Sequence, residues 1–124
     1  MKRKSVRDVV ENPKPESEYY ILVTRYYPMT LRRKKLKLVE TPINEWDRDL
    51  APSPELLSDY KNGRITWEEY EKRFREEKPL TLVKRKTTIY REEAKGKEIV
   101  LVCEEEDSEY PKCHTWILLD QEMK

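Results

Sequence analysis

Two short and almost uninterrupted runs of aromatic and β-branched residues constrain the fold of this chain more than any other feature. They are YYILVTRY at 19–26 and KEIVLVC at 97–103. Because neither run alternates regularly between apolar and polar residues, each is typical of a strand that is buried on both faces. Such strands occur in parallel sheets that carry helices on both sides. The two runs therefore predict an α/β fold, with Pro28 ending the first strand.

Two consecutive segments carry the start signals of amphipathic helices. In LAPSPELLSDYKNG, Ser53 is placed to cap a helix that begins at Pro54, and Gly63 ends the segment. In ITWEEYEKRFREEK, Thr66 and Glu69 form a capping box. An aromatic stripe follows at helical spacing, made of Trp67, Tyr70 and Phe74. Both segments therefore predict helices.

The remaining segments carry weaker patterns. Residues 4–9 alternate slightly, which favours a strand, and residues 30–37 favour one or two helical turns. Residues 38–46 indicate an extended segment interrupted by a proline. Residues 80–95 fit either a helix or a β ribbon, and we favour the helix. The last helix is predicted to begin within KCHTWILLDQEM, at 112–123.

Length and composition fit a single small three-layer domain of the α/β class, with a mainly parallel sheet flanked by helices. The chain has 124 residues, of which 36% are hydrophobic and 41% are charged, so it can build one modest core. No run approaches the about 18 apolar residues of a membrane span, and the N-terminus lacks the apolar block of a secretory signal. We therefore expect a cytoplasmic protein. Its high content of charged residues is typical of thermophile proteins, which form ion-pair networks on their surfaces.

The charge balance argues against a general attraction to nucleic acid. The 26 Lys and Arg residues almost cancel the 25 Asp and Glu residues, which leaves a formal charge of +1. The basic runs at 2–4, 32–35 and 84–86 are therefore interpreted as solvated faces. The basic runs and the tyrosine pairs near them could contact phosphates and stack on bases. A surface that binds nucleic acid or a protein is therefore the second functional hypothesis.

The two cysteines are ten residues apart, and the only histidine, His114, follows the second of them. In a cytosolic chain Cys103 and Cys113 are expected to be thiols, although hyperthermophile interiors are an exception. Two cysteines and one histidine supply three ligands where a structural zinc site needs four. We therefore expect no metal and no other cofactor unless an Asp or Glu completes the set. A redox pair would need the α-carbons of the two cysteines within about 7 Å.

Several fragments, taken in their order along the chain, resemble the domain of unknown function 488 family. They are an Arg-x-aromatic-Pro turn at 25–28, a Trp segment at 46–49 that runs into Ala-Pro-Ser, an aromatic helix at 67–70, Cys-Glu-Glu at 103–105 and Cys-His at 113–114. The resemblance implies a small three-layer α/β fold with a shared site. It implies no reaction, because the activity of the family is unassigned.

The chain departs from the pattern of that family at two positions. Family members carry arginines where this chain has Met29 and Thr115. If the family site binds an anion, this chain must therefore use other cations or bind more weakly. Arg32 and Arg33 are the candidates.

The candidate site combines the ends of the two predicted strands with the start of the last helix. Parallel pairing would place Arg25 and Cys103 at carboxyl ends of strands, where ligands of open α/β sheets bind. Cys113 and His114 would begin the next helix, whose N-terminus attracts anions and favours thiolates. We predict Cys113 as nucleophile and His114 as acid/base partner, each reaching the ligand separately because adjacent helical residues diverge by about 100°. The predicted ligand-binding residues are Arg25, Tyr27, Arg32, Cys103 and Glu105.

Each of these residues also has a structural interpretation. Cys103 fits a small hydrophobic residue in a buried strand better than a reactive thiol, and His114 fits a capping or packing residue. Residues 104–109 fit a solvated acidic loop better than a loose cation site, and Arg25 could pair with one of their carboxylates. The leading hypothesis is a pocket for a small phosphorylated or carboxylated molecule. Any chemistry there would be thiol-dependent transfer or hydrolysis, and the oligomeric state does not follow from the sequence.

Overall fold

Four parallel strands form one sheet in the computed structural model, which describes residues 1–77, 81–106 and 113–123. The strands are β1 (Lys2–Ser5), β2 (Glu18–Leu22), β3 (Glu45–Trp46) and β4 (Glu98–Cys103). Their order across the sheet is β1-β4-β2-β3, and each neighbouring pair is parallel. The predicted α/β class is confirmed, and the two apolar runs provide β2 and β4, the central strands.

Helices cover both faces of the sheet. In the described part of the chain they are α1 (Val6–Glu11), α2 (Met29–Arg33), α3 (Pro54–Lys61), α4 (Trp67–Glu77), α5 (Thr81–Ala94) and α6 (His114–Met123). Single 3-10 turns span Leu38–Glu40 and Arg48–Leu50. Helices α1 and α2 pack on one face and α3 to α6 on the other, so the fold has three layers. None of these described helices has the length and apolar character needed to cross a lipid bilayer.

The central strands supply two hydrophobic cores, because successive residues of a strand point to opposite faces. The residues that face α3 to α6 are Ile21, Val23, Ile99, Leu101 and Cys103. The residues that face α1 and α2 are Tyr20, Leu22, Val100 and Val102. All of them are buried, which explains why the two runs lack the polar alternation of a half-exposed strand.

The predicted helix caps are present. The Ser53 hydroxyl accepts a hydrogen bond from the amide of Leu56 at 3.2 Å and caps α3. The Thr66 hydroxyl accepts from the amide of Glu69, also at 3.2 Å, at the start of α4. The preference for helix over ribbon in residues 80–95 is confirmed by α5, with residue 80 lying outside the described residues.

The expected strand over residues 4–9 is wrong beyond Ser5. The hydroxyl of Ser5 accepts a hydrogen bond from the amide of Asp8 at 3.0 Å, so that Ser5 caps α1. Val6 and Val9, about one helical turn apart, are both buried against the sheet. A capping residue followed by two valines at helical spacing therefore produced the apparent alternation.

The strand predicted over residues 19–26 is shorter than expected. It ends at Leu22, although the amide of Val23 still donates to the Val102 carbonyl at 2.9 Å. Arg25 consequently lies in the loop after β2 and not in the strand. Residues 38–46 likewise contain a 3-10 turn before the two-residue β3, so they are extended only in part. Residues 107–109 of the acidic segment and the side chains of the basic run at 84–86 lie outside the described part of the chain.

Candidate functional site

The chain leaves the carboxyl ends of β2 and β4 toward opposite faces of the sheet. After β2 it continues to α2 on one face, and after β4 it continues to α6 on the other. In open α/β sheets such a divergence between adjacent strands opens a crevice in which ligands bind. A cavity of about 630 Å³ lies at this position, between the residues that follow β2, β3 and β4.

Six of the seven predicted site residues line this cavity. They are Arg25, Tyr27, Arg32, Glu105, Cys113 and His114. The seventh, Cys103, is fully buried at the end of β4, and its Sγ lies 3.0 Å from the Sγ of Cys113. The fold therefore brings the seven residues together. Six line the cavity, and Cys103 contacts one of them, Cys113.

Cys113 and His114 are in contact, which corrects the expectation that they reach a ligand separately. Cys113 immediately precedes the first residue of α6, so the divergence of adjacent helical residues does not apply to it. Its Sγ lies 3.9 Å from Nδ1 of His114. The Nε2 of His114 lies 2.9 Å from the carbonyl oxygen of Val23. Because a carbonyl only accepts, Nε2 carries the hydrogen, and Nδ1 faces the thiol as an acceptor.

The imidazole of His114 is neutral in this setting. Burial lowers the pKa of His114 and outweighs the opposing effect of Cys103, Glu105 and the Val23 carbonyl. The ring of Phe74 packs on it, with 5.6 Å between the ring centroids. A neutral ring with an unprotonated Nδ1 is suited to act as a base toward Cys113.

A buried arginine, Arg3, contacts the sulfur of Cys103 directly and is linked to the sulfur of Cys113 through Thr115. The guanidinium of Arg3 donates to the Sγ of Cys103 at 2.7 Å, to the Thr115 hydroxyl at 3.0 Å and to the carbonyl of Glu105. The Thr115 hydroxyl in turn donates to the Sγ of Cys113 at 3.0 Å. Arg3 is only 6% exposed, so the interpretation of residues 2–4 as a solvated face is wrong for its middle residue.

The thiol of Cys103 is strongly shielded. Burial raises the pKa of Cys103 well above its usual range, the neighbouring Cys113 raises it further, and Arg3 opposes both effects. Cys103 is therefore a protonated thiol at neutral pH. Its position matches the structural interpretation of a buried strand residue, except that its sulfur lies beside a second sulfur.

The predicted ligand-binding residues differ in how they are held. The Nε of Arg25 donates to the Pro52 carbonyl at 2.9 Å, and a terminal nitrogen donates to the Ala51 carbonyl at 3.4 Å. Within the described residues Arg25 thus ties its loop to the start of α3, and the alternative pairing with an acidic side chain is not observed. The hydroxyl of Tyr27 donates to the Leu36 carbonyl at 2.5 Å, which leaves its ring as the part available to a ligand.

Glu104 and Lys61 also line the cavity, although neither was predicted as a site residue. Oε1 of Glu104 accepts from the amide and the hydroxyl of Thr30 at 2.8 and 2.6 Å, so this carboxylate caps α2. Its Oε2 is buried and has no hydrogen-bond partner among the described residues. A donor group of a ligand would satisfy this oxygen. In the sequence nothing distinguishes Glu104 from the other carboxylates of its acidic run.

Three residues form a group that could hold a metal ion. One ligand atom each from Cys103, Glu105 and Cys113 lies within 4.8 Å of the other two, so Glu105 is the carboxylate that could complete a cysteine set. The guanidinium of Arg3, however, lies 2.7 Å from the Cys103 sulfur. This fixed positive charge disfavours a divalent cation on the same atom. We therefore treat the two residues as free thiols.

Comparison with known proteins gives one result that bears on identity. The family model described as DUF488-N3a, active DUF488-N3 subclade, matches residues 5–123. That match includes the strands and helices that surround the cavity. Comparisons with curated proteins and with solved structures give no match. The chain therefore belongs to the domain of unknown function 488 family, as the order of its fragments predicts.

Proposed function

We propose that the protein binds a small anionic molecule in the cavity at the ends of β2 and β4, and that the Cys113 thiol reacts with it. The observation that carries the proposal is the shared lining, since Cys113 and His114 border the same space as Arg25 and Arg32. A base in contact with a thiol activates it as a nucleophile, and cations hold an anionic ligand in place.

The lining suits a ligand with two kinds of polar group. Arg25, Arg32 and Lys61 supply positive charges, which bind phosphate or carboxylate. Glu104 supplies an acceptor oxygen that lacks a partner among the described residues. A phosphorylated or carboxylated molecule that also carries hydrogen-bond donors, such as a nucleotide, complements both parts. Tyr60, on the same lining, offers an aromatic surface for its apolar part.

The chemistry proposed is transfer or hydrolysis through a covalent intermediate on sulfur. The proton of the Cys113 thiol moves to Nδ1 of His114, which is 3.9 Å away. The sulfur electron pair then forms a bond to a phosphoryl or acyl centre, and the leaving group departs with the electrons of its broken bond. The imidazolium returns the proton to that leaving group. Attack by water, or by an acceptor in a transfer, releases the product and restores the thiol.

Replacing Arg32 with Gln is expected to weaken the binding of inorganic phosphate about tenfold. The change removes one charge-assisted hydrogen bond, which contributes about 1.5 kcal/mol. Arg33→Gln is the matched control, because Arg33 is the next residue of α2, is exposed and is not part of the cavity lining. Isothermal titration calorimetry with phosphate and with a nucleoside monophosphate measures the effect. Equal losses in the two variants, or no binding of either probe to the unmodified protein, would contradict the proposal.

A further inference from the structure

We infer that Cys103 and Cys113 form a reversible disulfide, in which Cys113 is oxidised by a peroxide and Cys103 resolves the product. The sulfur atoms of the two free thiols lie 3.0 Å apart. A disulfide bond is about 2.05 Å long, so the sulfurs need to approach by only about 1 Å. This redox activity requires no bound anion and goes beyond the function proposed above.

Only one of the two cysteines borders the cavity, which assigns their roles. Cys113 is itself buried, at 2% exposed, but it lines the cavity, so a small peroxide that enters the cavity meets this residue before Cys103. Cys103 is 0% exposed and lies behind Cys113, where it is shielded from the oxidant. A cysteine that an oxidant reaches through a cavity and a neighbouring cysteine that resolves the product make up a reversible pair.

The reaction balances as two thiols and one hydroperoxide giving one disulfide, one alcohol (water, from hydrogen peroxide) and one further water. The Cys113 sulfur, deprotonated by Nδ1 of His114, attacks the terminal oxygen of the peroxide, and the O–O bond breaks. The alcohol leaves with the transferred proton, and Cys113 becomes a sulfenic acid. The Cys103 sulfur then attacks the Cys113 sulfur, the S–O bond breaks, and hydroxide leaves with the Cys103 proton as water. The cysteines lose two electrons, which the peroxide takes up.

The groups around Cys103 favour its attack. The guanidinium of Arg3 donates to the Cys103 sulfur at 2.7 Å and offsets the negative charge that develops when this thiol loses its proton. The Thr115 hydroxyl lies 3.0 Å from the Cys113 sulfur and 3.7 Å from the Cys103 sulfur, so it borders both reacting atoms. Stabilisation of the Cys103 thiolate during this attack gives the buried guanidinium of Arg3 a role.

Oxidation would also switch off the chemistry proposed for the cavity. A Cys113 sulfur that is bonded to Cys103 has no electron pair available as a thiolate nucleophile. This consequence rests on the proposed function, whereas the disulfide does not. The phosphate titration of Arg32→Gln tests the anion site with both cysteines reduced, so the two ideas can fail separately.

The test treats the reduced, full-length protein with about one equivalent of hydrogen peroxide, then unfolds it in denaturant and blocks the remaining thiols with iodoacetamide. We expect a loss of about 2 Da, the mass of two hydrogen atoms, no alkylation, and a peptide pair that links residues 103 and 113. Dithiothreitol should restore both thiols. Two alkylatable thiols after peroxide and also after the thiol oxidant diamide, or a disulfide formed only between two chains, would overturn the inference.

Two variants separate the roles of the cysteines. In Cys103→Ser we expect a Cys113 sulfenic acid that persists and is labelled by dimedone, because no resolving thiol is present. In Cys113→Ser we expect Cys103 to remain a thiol under the same treatment, because the oxidant does not reach it. Labelling of Cys103 by dimedone in Cys113→Ser at the rate seen for Cys113 would overturn the assignment of roles. Circular dichroism checks that each variant is folded, and the experiment on the unmodified protein needs no variant.

Discussion

Cys113 is expected to react with iodoacetamide on the order of a hundredfold faster than Cys103 in the reduced, native protein. Cys113 is only 2% exposed, but it lines the cavity, and its sulfur contacts the acceptor nitrogen of His114. Cys103 is 0% exposed, and burial raises the pKa of its thiol well above the usual range. A reagent therefore reaches Cys103 only when the structure opens, whereas it reaches Cys113 through the cavity.

Peptide mapping by mass spectrometry over the time course gives the two rates separately. In denaturant both cysteines should react at similar rates, which controls for their intrinsic reactivity. Cys103→Ala should keep the fast reaction of Cys113, because it leaves the cavity side of that sulfur unchanged. Equal native rates, or a Cys113 that reacts only after unfolding, would show that its sulfur does not face the cavity.

Replacing Glu18 with Gln is expected to lower the free energy of unfolding at neutral pH by about 2 to 3 kcal/mol. Glu18 is only 4% exposed at the start of β2. Its carboxylate lies 2.5 Å from the Lys2 ammonium and 2.8 Å from that of Lys4, and it accepts from the Tyr20 hydroxyl at 2.9 Å. A neutral amide keeps the shape but loses both charged pairs, so two ammonium groups remain without their shared anion.

The same carboxylate makes stability depend on acid pH. Burial alone would raise the pKa of Glu18, but the hydrogen bonds from Lys2, Lys4 and Tyr20 outweigh it and lower the pKa from 4.5 to about 2. The folded state therefore binds the proton more weakly than the unfolded state. The stabilising contribution is complete above about pH 4.5 and is lost as the pH falls toward about 2. The shift corresponds to about 3 kcal/mol, which we reduce for solvent screening because the Lys2 side chain is 44% exposed.

Urea unfolding at several pH values tests this prediction. The difference between the unmodified protein and Glu18→Gln should be largest at neutral pH and should shrink steadily as the pH falls below about 4.5. Glu16→Gln is the matched control, since Glu16 is exposed two residues earlier, and it should change stability by less than about 0.5 kcal/mol. A difference between the Glu18 variant and the unmodified protein that does not change with pH would show that the carboxylate charge is not what stabilises this end of the sheet.

The sequence predicted the sheet well because the signals that define it are local and redundant. The runs that become β2 and β4 are buried on both faces, and short β-branched runs between helix signals are typical of strands in a parallel sheet that is covered on both sides. Ser53, Pro54 and Thr66 are capping residues in standard positions, so α3 and α4 begin where their patterns predict. Local chemistry was sufficient for these elements.

The errors occurred where one residue type has two structural uses. Ser5 is the last residue of β1, but its hydroxyl also caps α1, and the valines after it follow helical spacing. Arg3 belongs to a basic run, and only its place in β1 turns it inward. A period of two across Lys2–Ser5 would have indicated that Arg3 and Ser5 lie inside, with Lys2 and Lys4 more exposed. Extending the strand prediction to the N-terminus would therefore have found the buried cation.

The parts of the site that depend on long-range contacts were not predictable from the sequence. The contact of Cys113 with His114 follows from the exact start of α6, and helix boundaries are the least certain element of a sequence-based prediction. The tautomer of His114 is set by the Val23 carbonyl, 91 positions earlier in the chain. Glu104 gains its role by capping α2 at Thr30, 74 positions away. Only the folded structure brings these partners together.

The proposed function requires that an anion occupy the cavity beside Cys113. The rate of Cys113 alkylation by iodoacetamide, measured at increasing concentrations of inorganic phosphate, tests it most directly. Because the bound anion would share the cavity with the reagent, the account predicts that phosphate slows the reaction to a plateau, with the dissociation constant found by calorimetry. Arg32→Gln should shift the curve to higher phosphate concentrations, and Arg33→Gln should leave it in place. Two results would contradict this proposal. Phosphate could bind without slowing the alkylation of Cys113, or it could fail to bind and leave the rate unchanged.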